Sequence, residues 1–354
     1  MSAQSGLLSR RDFLTAASAG GLAMTAAGPL SAGYRPETEL AADDRVALIG
    51  MTLDLEMSMH YPSWGIMEWN YIKGLLNDET KQYAREACRR VKAKGGVIHS
   101  FMLGRTLEQA DVTWLEEIVK EGHPVGNHTY DHVNVWAVAP GTKPESVQFR
   151  FQREPALVAG KTAKEIVREN IQATTAAMKR RLGKEPDGFR TPGGSTSGLD
   201  GRADVQQMLL DLGFWWVSSR APHVPIAPEN PTAADFQRLV DRQTDAQPYV
   251  YPTGLVEVPM SPLGDVASFR REKQKWKIGD FLTMIEKCVG WAIENHAVFD
   301  LLTHPSIMYV EDPKFQSYEL ICDMVQASGG KAAIVGLDVI AERAKRRQTP
   351  PPKT

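Results

Sequence analysis

The sequence is short of several things, and each shortage removes a class of answer. Its 354 residues include only three cysteines, Cys88, Cys288 and Cys322, with no CxxC spacing. An odd number of widely separated thiols in apolar, helix-like contexts excludes a disulfide scaffold and a cysteine metal site, and reads as buried, inert packing. Positive charge is not in excess: 41 Lys and Arg stand against 43 Asp and Glu, a formal net charge of −2. A nucleic-acid binder usually shows a basic face and a pI above about 9, so nucleic acid is not an expected partner. No apolar run reaches the roughly 20 residues of a membrane span, and no repeat period stands out.

What the chain does have begins at its start. Ser9-Arg10-Arg11-Asp12-Phe13-Leu14 precedes a mildly apolar stretch of Ala, Gly, Leu and Met that runs to about Ala27. A charged start, a short apolar core and small residues are the layout of a twin-arginine export signal. We therefore expect residues 1–32 to be a signal read by the twin-arginine export machinery, with cleavage near Ala27 or Ala32 and a periplasmic or otherwise extracytoplasmic location. If retained, the segment would act as an anchor. At the other end, residues 344–354 are rich in Pro and Lys and are expected to be a disordered tail that carries the basic run Lys345-Arg346-Arg347.

Between these ends, short apolar runs (46–53, 97–103, 124–127, 188–190, 214–217, 256–260, 297–303 and 332–335) mostly alternate with amphipathic helical stretches (78–94, 111–121, 163–182, 204–212, 278–295, 313–327 and 339–345). Strands alternating with helices imply βαβ units and a mainly parallel sheet. Seven or eight units without a linker predict one barrel-like α/β domain over 43–343. Two segments break the rhythm: 60–77, with Tyr61, Trp64, Trp69 and Tyr71, and the long polar stretch 133–160. Both follow strands, where a parallel α/β barrel places its active-site loops.

Four clusters carry chemistry. In Gly126-Asn127-His128-Thr129-Tyr130-Asp131-His132, two histidines at i and i+4 fall on one face of a helical turn, so both imidazoles can converge on one ion such as Zn²⁺. In Met51-Thr52-Leu53-Asp54-Leu55-Glu56, two acids end an apolar run, which is costly unless they are paired or bound to metal. Phe189-Arg190-Thr191-Pro192-Gly193-Gly194 sets an Arg before a tight turn whose N–H groups could face an oxyanion. Asp300-Leu301-Leu302-Thr303-His304 ends another strand in a His. The remaining histidines, His60, His99, His123, His223 and His296, read as structural, with His60 set apart because it opens the aromatic loop.

These four clusters, in this order over residues 43–343, resemble the polysaccharide deacetylase family with a NodB-like domain, family 4 of the carbohydrate esterases. The resemblance implies a distorted (β/α) barrel, a single domain, and removal of N-acetyl groups from the amino sugars of peptidoglycan, a chitin-like oligomer or an exopolysaccharide. It further implies a divalent metal held by His128, His132 and an acid. Zinc is the first expectation, with cobalt, nickel or manganese as alternatives. Where the family has a second Asp this chain has Leu55, so Glu56 is the acid expected to complete the set. Asp54 would be the general base, Arg190 its partner, His304 the proton donor, and the Gly193 N–H a support for the oxyanion. Trp64, Trp69 and Trp216 are aromatic platforms for sugar faces, with core packing the competing reading for Trp216. The family's Asp-x-x-Asp-Trp motif is not recognisable near Trp215-Trp216-Val217-Ser218-Ser219, so the partner of His304 is unassigned. Two rivals follow from these departures: a metal-independent amidase resembling allantoinase-like relatives, and a non-catalytic glycan-binding protein on the same scaffold.

Overall fold

The apolar run at 46–53 forms a strand, β1 (Ala47–Leu55), all nine residues of which are buried. A strand covered on both faces reads as a continuous apolar run because it lies inside a parallel sheet. The computed structural model describes residues 35–65, 73–138, 160–222, 229–270 and 275–350. The expected export signal lies outside them, as do Trp69, Tyr71 and His223.

Around β1 the chain runs through α1 (Glu37–Ala42), α2 (Asp78–Ala93), β2 (His99–Met102), α3 (Thr113–Lys120), β3 (Val125–Asn127), α4 (Ala163–Leu182), β4 (Phe189–Ser195), α5 (Ala203–Asp211), β5 (Trp216–Arg220), α6 (Ala233–Asp241), β6 (Tyr249–Val250) and β7 (Val256–Glu257). It continues through α7 (Asp265–Phe269), α8 (Ile278–Glu294), β8 (Val298–Thr303), α9 (Pro305–Glu311), α10 (Gln316–Ala327), β9 (Ala332–Ile334) and α11 (Leu337–Arg347). The sheet order is β6-β7-β5-β4-β3-β2-β1-β8, with β9 beside the first residues of β1. Every pairing is parallel except β6 with β7.

The segment after β7 draws the curled sheet toward closure. Val258 N–H donates to Val217 O (2.8 Å) and Met260 N–H to Arg220 O (2.8 Å), along β5. Ser261 N–H then donates to Asp300 O (2.9 Å), and Gly264 pairs in parallel with Leu302 of β8. The largest apolar cluster joins Met51 and Leu53 of β1 to Ala84 and Cys88 of α2 and Phe281 and Ile285 of α8. All three cysteines are free and buried, and burial pushes the Cys322 thiol up to about 12. Among the described residues no helix is long and apolar enough to cross a membrane.

Local chemistry explains where elements start. Thr162 and Glu165 form a reciprocal capping box at α4, and Gly183 ends it in the left-handed conformation; such an N-cap contributes about 1 kcal/mol. The structure also corrects the ends of the domain. Lys345-Arg346-Arg347 is the last turn of α11 rather than part of a disordered tail, with Arg347 paired to Asp44 and Thr349 O accepting from Val250 N–H (2.7 Å). At the other end, α1 precedes the expected start at 43, and the buried Arg343 guanidinium of α11 donates to the carbonyls of Leu40, Asp43 and Val46.

Candidate active site

The polar residues of β1 collect at its C-terminal end. Thr52 and Asp54 alternate on one face, and Glu56 N–H donates to Asp54 O (2.9 Å). This one-residue turn across Leu55 ends the strand and brings both carboxylates near the same imidazole: Asp54 Oδ2 and Glu56 Oε2 each lie 3.6 Å from His128 Nε2. The loop carrying the histidines is not the helical turn that their spacing suggests. Thr129 and His132 sit in left-handed backbone, φ 62° and 59°. Side chains hold this bend, with Thr129 N–H donating to Asn127 Oδ1 (2.8 Å) and Val133 N–H to Thr129 Oγ1 (2.9 Å). The bend still brings the two imidazoles together, with ring centroids 5.2 Å apart.

Glu56, His128 and His132 place one ligand-type atom each within 4.8 Å of one another. His128 Nδ1 lies 3.0 Å from Arg190 O. A carbonyl only accepts, so Nδ1 carries the proton and Nε2 faces the cluster with a bare lone pair. That nitrogen and Glu56 Oε2 are both buried without a hydrogen-bond partner, as expected of atoms built to hold a cation. Glu56 Oε2 also lies 3.3 Å from His132 Nε2. Burial lowers His128, and lowers His132 well below an ordinary imidazole, which keeps both in the neutral form a metal needs. Burial pushes the Glu56 carboxyl up, but the surrounding imidazoles and the Lys73 ammonium more than reverse this and hold it well below the usual range. The donor set therefore fits a divalent ion of the zinc type in chemistry and spacing.

Lys73 is a feature that sequence reasoning missed. It lies in the aromatic segment and is only 2% exposed. Its Nζ bonds Glu56 Oε1 and lies 3.4 Å from His132 Nε2. Burial brings the Lys73 amine down to about 8, against the pull of Glu56.

Two polar pairs flank the cluster. Arg190, fully buried, donates to Asp54 Oδ1 (3.1 Å), Thr52 Oγ1 (2.8 Å), Asp300 Oδ2 (2.8 Å) and Ser218 Oγ (3.2 Å), and its guanidinium covers the Phe101 ring at 4.4 Å. Burial raises Asp300 to about 6 even beside this guanidinium. His304 Nε2 lies 3.6 Å from Glu56 Oε1 and 3.9 Å from Asp54 Oδ2. Its Nδ1 donates to Asp265 Oδ1 (3.0 Å), and its main-chain N–H to the other oxygen of Asp265. Asp265, the first residue of α7, is the orienting acid left unassigned by the sequence. Burial pulls the His304 imidazole down, but Asp265 and then Glu56 outweigh this and raise it to about 10.

The expected sugar platforms divide. Trp216 is 2% exposed and packs against His99 and Phe101, so it is core and not a binding surface. Parity decides this: Trp216 faces inward at the register Trp216↔Val256, where Gly188 leaves room for its ring, since a Cβ there would lie 2.0 Å from Trp216 Cζ2. Trp64 is 46% exposed and stacks on His60, centroids 4.2 Å apart. Gly193 is exposed at the end of β4 with φ 58°, and only Asn134 would come within 4 Å of an added Cβ. His99 and His123 are structural, each accepting a main-chain N–H at Nδ1, from Leu337 and Ile98 respectively.

Residues 74–214 match the polysaccharide deacetylase family model. No curated protein matches the chain. Among solved structures, a Mycobacterium smegmatis protein named as a polysaccharide deacetylase has a TM-score of 0.59 at 15% identity, over 94% of this chain and 98% of its own. A Pseudomonas aeruginosa PAO1 protein named likewise reaches 0.56 at 13% identity, over 90% and 96%. The PuuE allantoinase reaches 0.54 at 12%, over 87% and 92%. At such identities the likeness speaks for the fold alone, the curled, mainly parallel sheet of NodB-like deacetylases. The match to the polysaccharide deacetylase model over residues 74–214 and the likeness in fold to proteins named as polysaccharide deacetylases thus point the same way.

Proposed function

We propose that this chain hydrolyses the acetamide of N-acetylated amino sugars in a glycan, with a divalent ion, zinc in the first instance, held by Glu56, His128 and His132. The observation that carries the reading is the convergence of that donor set with Asp54 and His304 in one buried cluster. A divalent ion there would supply Lewis acidity toward the carbonyl and make water acidic enough to attack near neutral pH. Asp54 takes the proton from the attacking water, and Arg190 holds it in place through the hydrogen bond to Oδ1. His304, held charged by Asp265, delivers a proton to the departing amine nitrogen. Gly193 offers its exposed main chain to the substrate oxygen, and Trp64 offers an aromatic face to a sugar ring. The Arg10-Arg11 segment supports export by the twin-arginine route and action on a glycan outside the cytoplasm.

With Asp265 on His304, the main argument for a decayed, purely glycan-binding scaffold falls away. A metal-independent amidase keeps one observation in its favour: Lys73 already places a cation against Glu56 and His132. Metal content separates these two readings. The test is a His128→Ala variant assayed for bound metal and for acetate release from acetylated chitin-like oligomers. Undiminished metal and wild-type acetate release would overturn the proposal.

A further inference from the structure

The donors proposed for the metal are not idle without it. Lys73 O accepts from Met57 N–H (2.8 Å), which fixes the main chain of Lys73 beside the residue that follows Glu56. From there the side chain reaches back, buried to 2% exposure, to Glu56 Oε1 and to within 3.4 Å of His132 Nε2. An ammonium has donors only, so its hydrogen toward His132 points at the Nε2 lone pair. That is the lone pair a divalent ion would need, and Glu56 is the only carboxylate in the donor set. Ammonium and ion therefore draw on the same two residues, and like charges a few ångströms apart in a buried site repel strongly.

We propose that Lys73 is a resident cation of this site, competing with a divalent ion for Glu56 and His132 so that metal binds only as Lys73 is displaced. The inference rests on the reading of Glu56, His128 and His132 as the metal-binding set. His128 stays outside the competition, because its Nε2 is partnerless while its Nδ1 is fixed on Arg190 O. The metal thus has one anchor always ready and two it must win.

The sign of a single substitution separates this role from simple positioning. A side chain that only orients a ligand lowers metal affinity by about 10–100-fold when removed. A competitor raises it. The experiment titrates Zn²⁺ and Co²⁺ into the full chain by calorimetry and chelator competition, for wild type, Lys73→Met, Lys73→Gln and His128→Ala, with circular dichroism to verify folding. Both Lys73 variants are expected to bind at least about tenfold tighter than wild type, or to gain binding if wild type shows none. Unchanged or weaker binding in Lys73→Met and Lys73→Gln would overturn the competition while leaving the metal site standing, provided that His128→Ala binds less. Absence of binding in every variant would overturn both readings. Should the Lys73 variants fail to fold, a Co²⁺-soaked wild-type crystal serves instead. Lys73 Nζ is expected to have left His132 Nε2, and an ammonium still in contact beside a bound ion would refute the proposal.

Discussion

The Asp265–His304 pair allows a sharp prediction for Asp265→Asn. Asp265 serves both donors of His304 at once, the ring Nδ1–H and the main-chain N–H, while Oδ1 also accepts from Val266 N–H (2.7 Å). An asparagine has one carbonyl oxygen and one NH₂, so it can accept from only one of them and must turn a donor toward the other. The substitution also removes the nearest full negative charge. The rise of His304 from 6.5 to about 10 corresponds to roughly 5 kcal/mol of preference for the charged ring, of which Asp265 is the larger favourable source and Glu56 the smaller. With burial opposing the charge, the variant ring loses both its orientation and much of its proton. A positioned general acid contributes about 10²–10⁴-fold, and the variant is expected to lose kcat over that range. KM should move by less than about threefold, because Asp265 is fully buried behind His304 and does not face substrate. Acetate release measured at several substrate concentrations, with circular dichroism to verify the fold, gives both parameters. A folded variant with kcat within about threefold of wild type would refute the assignment of His304 as proton donor.

Arg190→Met strands Asp54 and Asp300 as buried acids without their shared guanidinium, and is expected to cost about 3–5 kcal/mol in urea unfolding, with Asp300→Asn restoring part of it. A loss under about 1 kcal/mol would mean that water replaces the guanidinium. Trp216→Ala should destabilise the fold by roughly 3–5 kcal/mol yet leave KM unchanged in whatever folds, since the ring is core; a KM effect in the folded fraction would restore it to the binding surface. His123, lowered by burial to about 4, binds its extra proton in the unfolded chain, so its contribution is full above pH 6.5 and is lost as pH falls from 6.5 toward 4. His123→Asn, which keeps an acceptor for Ile98 N–H, should flatten that slope in unfolding midpoints measured between pH 4 and 7; equal slopes would contradict it.

What could be read in the sequence was the set of strand ends, for a physical reason. Asp54, Glu56, Arg190 and His304 each interrupt or terminate an apolar run, and a polar group there is costly unless something compensates it. The HxxxH spacing pointed to the right pair for the wrong cause, since side-chain caps and two left-handed residues make the convergence, not a helix. Asp265 and Lys73 were invisible because nothing local marks them. Asp265 begins a five-residue helix, and it reaches His304, 39 positions on, only because Ser261 and Gly264 pair with β8 and close the sheet. Lys73 looks like any solvated lysine until Met57 N–H binds its carbonyl. Parity misled the reading of Trp216: a pair of adjacent tryptophans cannot say which one faces inward, and the register with β7 and the space over Gly188 decide it. Glu56 is where the two kinds of information meet. Its position after β1 marked it as an acid needing a cation, whereas only the folded chain shows a lysine already beside it. An acid flanked by an internal ammonium and two imidazoles is satisfied in more than one way, and that makes the occupancy of this site a matter of competition rather than of ligand count alone.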